Sequence, residues 1–237
     1  AKERLMPFSE RVQLYHSDFR YLPDLNLDFS KIRGVLLDLG ISSYQLDSPE
    51  RGFSFNLDGP LDMRMDLRNK TTAEKILSKY SERQLEHIFL DYGELRQSRR
   101  LAHEIAHKRK IKPIETTGQL LRIVESVCRW RPQKGKTHPA ARVFQAIRIE
   151  VNQELKDLSL FLDRLTGMIK KGTRIAAISF HSLEDRIIKH TYMKLSSSKD
   201  STPNLKILTR KPVIPTPEEV ASNFRARSAK LRCAEKI

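Results

Sequence analysis

An apolar strand followed directly by a dense polar segment is the feature that most limits how this chain can fold. Val35, Leu36 and Leu37 predict a buried strand, Asp38 falls at its carboxyl end, and Gly40 permits a sharp turn. In open α/β sheets, ligands bind at the carboxyl edge of the strands. The pattern therefore predicts a site at Asp38, although an isolated Asp here is also typical of a simple turn cap.

The residues after this strand are unusually rich in polar and ionisable groups. Between positions 42 and 66 they are Ser42, Ser43, Gln45, Asp47, Glu50, Arg51, Asp58, Asp62, Arg64 and Asp66. A loop that only reverses the chain does not need so many charges beside so few apolar anchors. We therefore interpret the segment as a reaction site in which Asp38 serves as the acceptor, together with either the Leu39 carbonyl or the Ser42 and Ser43 hydroxyls. Arg51 and Arg64 are suited to pair with phosphate or with nearby carboxylates.

Helical and strand patterns divide the chain into three segments. Residues 67–138 are predicted to be helical, and one long amphipathic helix is predicted over 139–167. A second apolar strand follows at 174–180. This order indicates an α/β sheet built from 1–66 and 139–237 and interrupted by a helical insertion.

The end of the second predicted strand offers another candidate residue. His181 comes directly after it, so its imidazole is a candidate for catalysis. The pattern Ser182-x-x-Asp185 predicts a helix cap at the same place, and His181 would then only hydrogen-bond a loop. Both interpretations stay open.

Charge and cysteine content limit the class of partner. The formal net charge is +15, yet residues 1–66 hold 8 Lys and Arg against 11 Asp and Glu, while 139–237 hold 19 against 10. An acidic segment with basic flanks suits a nucleic acid whose phosphates are held outside the reaction site. The sequence shows neither an apolar membrane span nor a secretory leader. Only Cys128 and Cys233 are present, so we expect an intracellular, cytoplasmic protein, with an organellar version still open.

One rival motif points to different chemistry. His103, Glu104 and His107 fit H-E-x-x-H, the pattern of zinc metallohydrolases. A catalytic zinc needs a third protein ligand, which the following residues do not supply. The surrounding Lys and Arg also disfavour a dication. We therefore expect no metal and retain the hydrolase only as a less favoured alternative.

Two basic segments carry candidate contacts to RNA. Trp130 lies between two arginines in the loop 128–138, where it would either stack on an unpaired base or anchor the loop to the helices. Near the end of the chain, Arg225 and Arg227, with Lys230 and Arg232 after them, form either a second RNA contact or an ordinary solvated surface.

Four long sequence motifs follow one another along the chain. They are GVLLDLGISSYQLDSPERGFSFNLDGPLDMRMD from position 34, HPAARVFQAIRIEVNQEL from 138, ISFHSLEDRIIKH from 178 and NFRARSAKLRCAEK from 223. With them the chain resembles the RsmH (MraW) family, whose members methylate a cytosine N4 in the decoding region of small-subunit (16S-type) ribosomal RNA. The resemblance implies S-adenosylmethionine as the methyl donor and the small ribosomal subunit or its RNA as the partner.

The resemblance also implies a fold and a set of contacts. The fold is a Rossmann-like class I methyltransferase core, α/β in class, with an inserted all-helical domain at 67–138 that helps to dock RNA. Asp38 and Gln45 match positions that contact S-adenosylmethionine, and Phe19 matches the aromatic position near its adenine. Asp38 would hold the methionyl amine or activate the base, and both roles stay open.

One element of the resembled family has no counterpart in the sequence. The strand and Gly-rich turn that open its cofactor site are absent, so we expect the chain to be a fragment. An RNA-binding fragment without catalysis is therefore the main alternative function.

Overall fold

The computed structural model describes residues 2–131, 137–197 and 204–237. The helices in chain order are α1 (Lys2–Leu5), α2 (Ser43–Asp47), α3 (Ala73–Lys79), α4 (Glu82–Asp91), α5 (Ser98–Ile111), α6 (Thr117–Cys128), α7 (Pro139–Asn152), α8 (Leu158–Met168), α9 (Ser182–Ser196) and α10 (Pro217–Ser222). The strands are β1 (Gly34–Asp38), β2 (Arg174–Ser179), β3 (Leu205–Ile207) and β4 (Lys230–Lys236). Across the described residues, every helix is too short or too polar to span a bilayer.

The chain divides into two compact units, which we call the core unit and the helical unit. The core unit comprises Ala1–Asp38 and Asp157–Ile237, and the helical unit comprises Leu39–Lys156. The sequence pattern predicted boundaries after residues 66 and 138 instead. The first boundary lies earlier because Phe53, Leu61 and Met63 are buried in the core of the helical unit.

The core unit is built on a four-stranded sheet in the order β1-β2-β4-β3. Strand β1 runs parallel to β2, whereas β4 is antiparallel to both β2 and β3. Helix α9 packs on β2, β3 and β4, and α8 packs against α9. The predicted mixed α/β architecture is confirmed.

Strand β1 is less buried than the sequence indicated. Leu37 is buried, but Leu36 is 65% exposed. Within the described sheet β1 pairs only with β2, and successive side chains along a strand point to opposite faces. Only one face of this strand therefore contributes to the core.

The helical unit packs α3 to α7 around one apolar core. Its fully buried side chains include Leu85 and Phe89 of α4, Ile105 of α5 and Ile147 of α7. Ser81 and Gln84 form a capping box at the start of α4, with the Gln84 N–H 3.2 Å from the Ser81 hydroxyl.

The single long helix predicted over 139–167 is wrong. The chain leaves the helical path at Gln153 (φ 53°) and again at Asp157 (φ 59°), which separates α7 from α8. Arg148 and the nearly buried Glu154 form an ion pair with a 2.9 Å contact at this break. The apolar periodicity of the sequence continues across this break, although the chain passes there from the helical unit to the core unit.

Candidate active site

The carboxyl edge of the parallel pair β1 and β2 is the candidate site in the core unit. Asp38 is the last residue of β1 and lies opposite Ile178, one residue before β2 ends. The chain after β2 runs through Phe180 to His181, so both strands deliver their following residues to one edge. The Asp38 side chain is exposed, and no group in the described part of the chain donates a hydrogen bond to it. Asp38 is thus a free acceptor at the position the sequence predicted.

His181 caps helix α9. Its Nδ1 accepts a hydrogen bond from the Glu184 N–H at 3.4 Å, and only 6% of the imidazole is exposed. Its Nε2 is buried and lies 3.3 Å from a Glu184 carboxylate oxygen, without hydrogen-bond geometry. The predicted cap at Ser182 is therefore wrong by one residue, and the catalytic role of His181 stays a prediction.

Glu184 is a buried carboxylate in the first turn of α9, beside His181. Its side chain is 2% exposed, and one carboxylate oxygen accepts the Phe180 N–H at 2.9 Å. With His181 it ties the end of β2 to the first turn of α9. A Glu three residues after the cap is a known capping pattern and was the available signal.

An ion pair between Asp185 and Arg232 stands beside this cap. Arg232 Nε donates to Asp185 at 2.6 Å, and the two side chains are 9% and 13% exposed. Burial alone would raise the pKa of Asp185, but the hydrogen bonds and charge of Arg232 and Lys230 outweigh it, so the pKa is lowered. Arg232 therefore faces inward, which contradicts its assignment to an exposed RNA surface.

Phe19 lies in a short 3-10 turn of the core unit. Its ring packs edge-on against Phe161, with centroids 5.1 Å apart. The neighbouring Asp18 accepts two side-chain hydrogen bonds from Arg20, which fixes the turn. The ring of Phe19 is half-buried, and its contact with adenine stays a prediction.

Ser42, Ser43 and Gln45 belong to the helical unit, at the start of α2. Ser42 and Gln45 form a capping box: the Ser42 N–H donates to Gln45 Oε1 at 3.0 Å, and the Gln45 N–H donates back to the Ser42 hydroxyl. Ser43 is the exposed first residue of the helix. The cap uses only the Oε1 of the Gln45 side chain. The side-chain amide N–H donors of Gln45 have no partner among the described residues and stay available.

Most charges of the polar segment after α2 have structural partners. Asp58 accepts the Gly118 N–H at 2.8 Å at the start of α6. Arg64 donates to both carboxylate oxygens of Asp62 and to two backbone carbonyls, at 2.7 to 2.9 Å. Arg51 donates to the carbonyls of residues 64 and 65, while its buried Nε has no hydrogen-bond partner among the described residues. The substrate-binding roles of Arg51 and Arg64 stay predictions, and in this structure both guanidinium groups hold the loop.

The Asp62–Arg64 pair predicts how the protein responds to acid. Burial would raise the pKa of Asp62, but hydrogen bonds and charge from Arg64 outweigh it and lower the pKa. As pH falls below about 5, the Asp62 carboxylate takes up a proton in the unfolded chain first, near its ordinary pKa of about 3.9. The free energy of unfolding therefore decreases as the pH falls. We expect Asp62→Asn to cost about 2 kcal/mol at neutral pH and to weaken this acid dependence. Urea denaturation at several pH values measures both effects.

Asp66 provides the matched control for that prediction. It forms the same fork with Arg68 two residues later, but its side chain is 44% exposed and that of Arg68 is 69% exposed. Exposed pairs of this kind contribute little, so Asp66→Asn should cost at most about 0.5 kcal/mol. Equal losses in the two variants would contradict the explanation from burial.

Trp130 contacts the residue that caps α7. Its ring meets His138 edge-on with centroids 5.1 Å apart, and His138 also stacks on Phe55 at 5.5 Å. Trp130 is half-buried, and His138 Nδ1 accepts the Ala140 N–H at 3.1 Å. These contacts favour Trp130 as an anchor of its loop over a free stacking surface. Residues 132–136 of the predicted loop lie outside the described residues.

The H-E-x-x-H motif lies on the exposed side of α5. His103 Nδ1 is 3.2 Å from a Glu82 oxygen, and Glu104 pairs with Lys108 at 3.3 Å. Among residues 2–131, 137–197 and 204–237, no further His, Cys, Asp or Glu completes a ligand set with His103 and His107. The described geometry gives the hydrolase alternative no support.

Arg225 and Arg227 lie on the exposed surface of the core unit, near its last strand. The Arg227 guanidinium is 4.6 Å from the ring centroid of Phe224, which is 66% exposed. Phe224 was not among the predicted site residues, although an aromatic residue beside two arginines was an available signal. This cation–π pair fits the predicted RNA contact of Arg225 and Arg227, which stays a prediction.

A parallel pair of strands with the free Asp38 carboxylate at its carboxyl edge fits a class I methyltransferase fold. The whole chain, residues 1–237, matches the MraW methylase family, and the chain belongs to that family. It is 48% identical to ribosomal RNA small subunit methyltransferase H of Trichodesmium erythraeum, covering 98% of this chain and 78% of that protein. The protein of the same name from Clostridioides difficile is 44% identical, covering 100% and 80%. That from Nostoc sp. is 47% identical, covering 100% and 74%.

Proposed function

We propose that this chain transfers the methyl group of S-adenosylmethionine to the N4 amine of a cytidine in the decoding region of small-subunit ribosomal RNA. The observation that carries the proposal is Asp38, an exposed carboxylate without a hydrogen-bond donor, at the carboxyl edge of β1 and β2 in a methylase-family chain. The names of the relatives supply the class of RNA.

The chemistry explains why a free carboxylate is needed. The lone pair of a cytosine N4 is delocalised into the ring, so the nitrogen is a poor nucleophile. A carboxylate that accepts an N4 hydrogen increases the electron density on nitrogen as the new N–C bond forms. S-adenosylmethionine, when bound, would supply the methyl group, and its sulfur would keep the electron pair of the broken S–C bond as a neutral thioether. Asp38 would accept the hydrogen, or it would hold the methionyl amine and so place the methyl group.

Three residues fit the chemical groups of S-adenosylmethionine. Asp38 offers a carboxylate to an ammonium group, and Gln45 offers amide N–H donors to a carboxylate or a hydroxyl. Phe19 offers a half-buried ring that its contact with Phe161 holds in place, which suits a flat base. Ser42 holds Gln45 through the cap of α2, the buried His181 caps α9, and Ser43 offers an exposed hydroxyl.

Calorimetry and mass spectrometry test the proposal. In calorimetry we expect saturable binding of S-adenosylmethionine, which S-adenosylhomocysteine displaces. In mass spectrometry we expect N4-methylcytidine in RNA recovered from small subunits that were incubated with the protein and S-adenosylmethionine. A folded chain that binds RNA but neither binds the cofactor nor methylates would contradict the enzymatic proposal. That outcome would support the alternative function, an RNA-binding chain without catalysis.

A further inference from the structure

A groove between α5 and α6 of the helical unit combines a basic rim with an apolar floor. Its volume is about 400 Å³, with the exposed Lys108, Ile111, Lys112 and Arg122 at its rim and the buried Ile114 and Ile123 along its floor. All the residues that line it lie between positions 108 and 126, a fully described stretch. None of the residues that line it is Asp or Glu. The groove is therefore a cationic site with an apolar base.

The charges at the rim are available to a ligand. Lys112 and Arg122 are exposed, and neither pairs with a carboxylate in the described part of the chain. Lys108 does have a partner, Glu104, at 3.3 Å. A cation in the last turn of α5 is stabilised by the helix dipole, which accounts for Lys108 without a ligand. The same explanation extends to Lys112, the C-cap residue of α5, but it does not cover Arg122, which lies in the middle of α6.

Ile111 is the second unusual feature of the groove. It is 76% exposed, whereas Ile114 and Ile123 on the floor are each only 6% exposed. An isoleucine this exposed, between cations, adds nothing to the core of the unit. It offers an aliphatic surface at the entrance to the groove.

We propose that this groove binds a single-stranded segment of RNA, with its phosphates on Lys112 and Arg122 and an unstacked base or ribose against Ile111. This inference rests on the proposed function and names an RNA contact of the helical unit. Adjacent phosphates and apolar base faces match a rim of cations around an aliphatic floor. An A-form duplex is too wide for a groove of this volume and keeps its base faces stacked. An acidic peptide shares the charge but lacks regularly spaced phosphates.

The salt dependence of binding distinguishes the phosphate contacts of Lys112 and Arg122 from the apolar contact of Ile111. A double variant, Lys112→Gln with Arg122→Gln, should weaken binding of a labelled single-stranded oligocytidylate of about 12 nucleotides by at least about tenfold. It should also reduce the slope of log K against log salt by about 1.4, since each lost phosphate contact removes about 0.7. Ile111→Ala should weaken binding by about fivefold and leave the slope unchanged, because it removes apolar contact only. Fluorescence anisotropy at several salt concentrations measures all three quantities.

The control is a double variant elsewhere on the helical unit. Lys79→Gln with Arg83→Gln removes the same charge from exposed positions outside the groove, and it should leave affinity and slope close to wild type. All variants should keep the wild-type affinity for S-adenosylmethionine and the wild-type urea midpoint. Equal losses in the groove and control variants would overturn the inference, because total charge rather than the groove would then bind RNA.

Two further outcomes overturn the inference without touching the proposed function. If the duplex form of the probe binds as tightly as the single strand, the groove does not select unpaired RNA. If an oligoglutamate peptide of equal charge displaces the probe at equal concentration, the groove recognises acidic peptides. In both cases methylation of small subunits by the wild-type chain would still stand as an independent result.

Discussion

Replacing Asp38 with Ala or Asn should abolish methyl transfer without unfolding the protein. The carboxylate is the free acceptor at the carboxyl edge of β1 and β2, and a positioned acid–base group contributes about 10²- to 10⁴-fold in rate. Since the side chain is exposed and no described group donates a hydrogen bond to it, its loss removes no folding contact. We expect a loss of at least about 10²-fold in turnover and an unchanged urea midpoint.

The same variant distinguishes the two roles of Asp38. If the carboxylate holds the methionyl amine, Asp38→Asn will weaken S-adenosylmethionine binding in calorimetry. If it accepts the N4 hydrogen, affinity will be retained and only turnover will fall. Asp163→Asn is a suitable control, because Asp163 is an exposed carboxylate of α8 in the same unit. Methylation at the wild-type rate by a folded Asp38→Ala protein would sink our assignment.

The position of Asp38 followed from the sequence because two local signals agreed. A short apolar run predicted the strand, and the Gly40 turn predicted where it ends. The partner strand was also predictable, since residues 174–180 are apolar and precede a capping pattern. The parallel register that places Asp38 opposite Ile178 was not predictable, because strand pairing depends on contacts far apart in sequence.

The polar segment after α2 shows why charge density alone did not identify its function. The segment was interpreted as a reaction site because of its charge, but Asp58 accepts the Gly118 N–H in the first turn of α6 and Asp62 holds Arg64. The identity of an Asp or Glu in a sequence does not reveal whether its carboxylate contacts water, a ligand or a neighbouring N–H group. The repeated Asp-x-Arg spacing was the available signal, since an Asp side chain can accept the N–H two residues later.

The unit boundaries were hidden for a related reason. Helical periodicity reports which side of a helix is apolar, and it does not report which core that side packs against. Residues 139–165 therefore read as one stripe, whereas α7 packs in the helical unit and α8 in the core unit. The left-handed residues Gln153 and Asp157 at the break are not glycines, so the usual mark of a helix end was missing.

The largest effect on stability should come from Gly52 and Gly59, where the loop after α2 passes close to itself. A Cβ on Gly52 would overlap the carbonyl oxygen of Pro60, and a Cβ on Gly59 would overlap that of Pro49. Gly52 also has φ at +67°, a conformation that strains other residues. The same loop is tied to α6, since the Thr117 N–H donates to the Gly59 carbonyl at 2.9 Å. Because backbone atoms cannot move aside as a flexible side chain does, Gly52→Ala should destabilise the helical unit by about 3 kcal/mol or more.

Two other glycines separate the causes of this loss. Gly172→Ala meets the same strain at φ +84° but open space, so it should cost about 1 kcal/mol. Gly167→Ala, inside α8 and also in open space, should stabilise by about 0.5 to 1 kcal/mol. Urea denaturation followed by fluorescence of the single tryptophan, Trp130, reports on the helical unit, and circular dichroism reports on both units. A Gly52→Ala protein whose fluorescence midpoint matched wild type would show that the loop yields, and that its close packing does not hold the helical unit together.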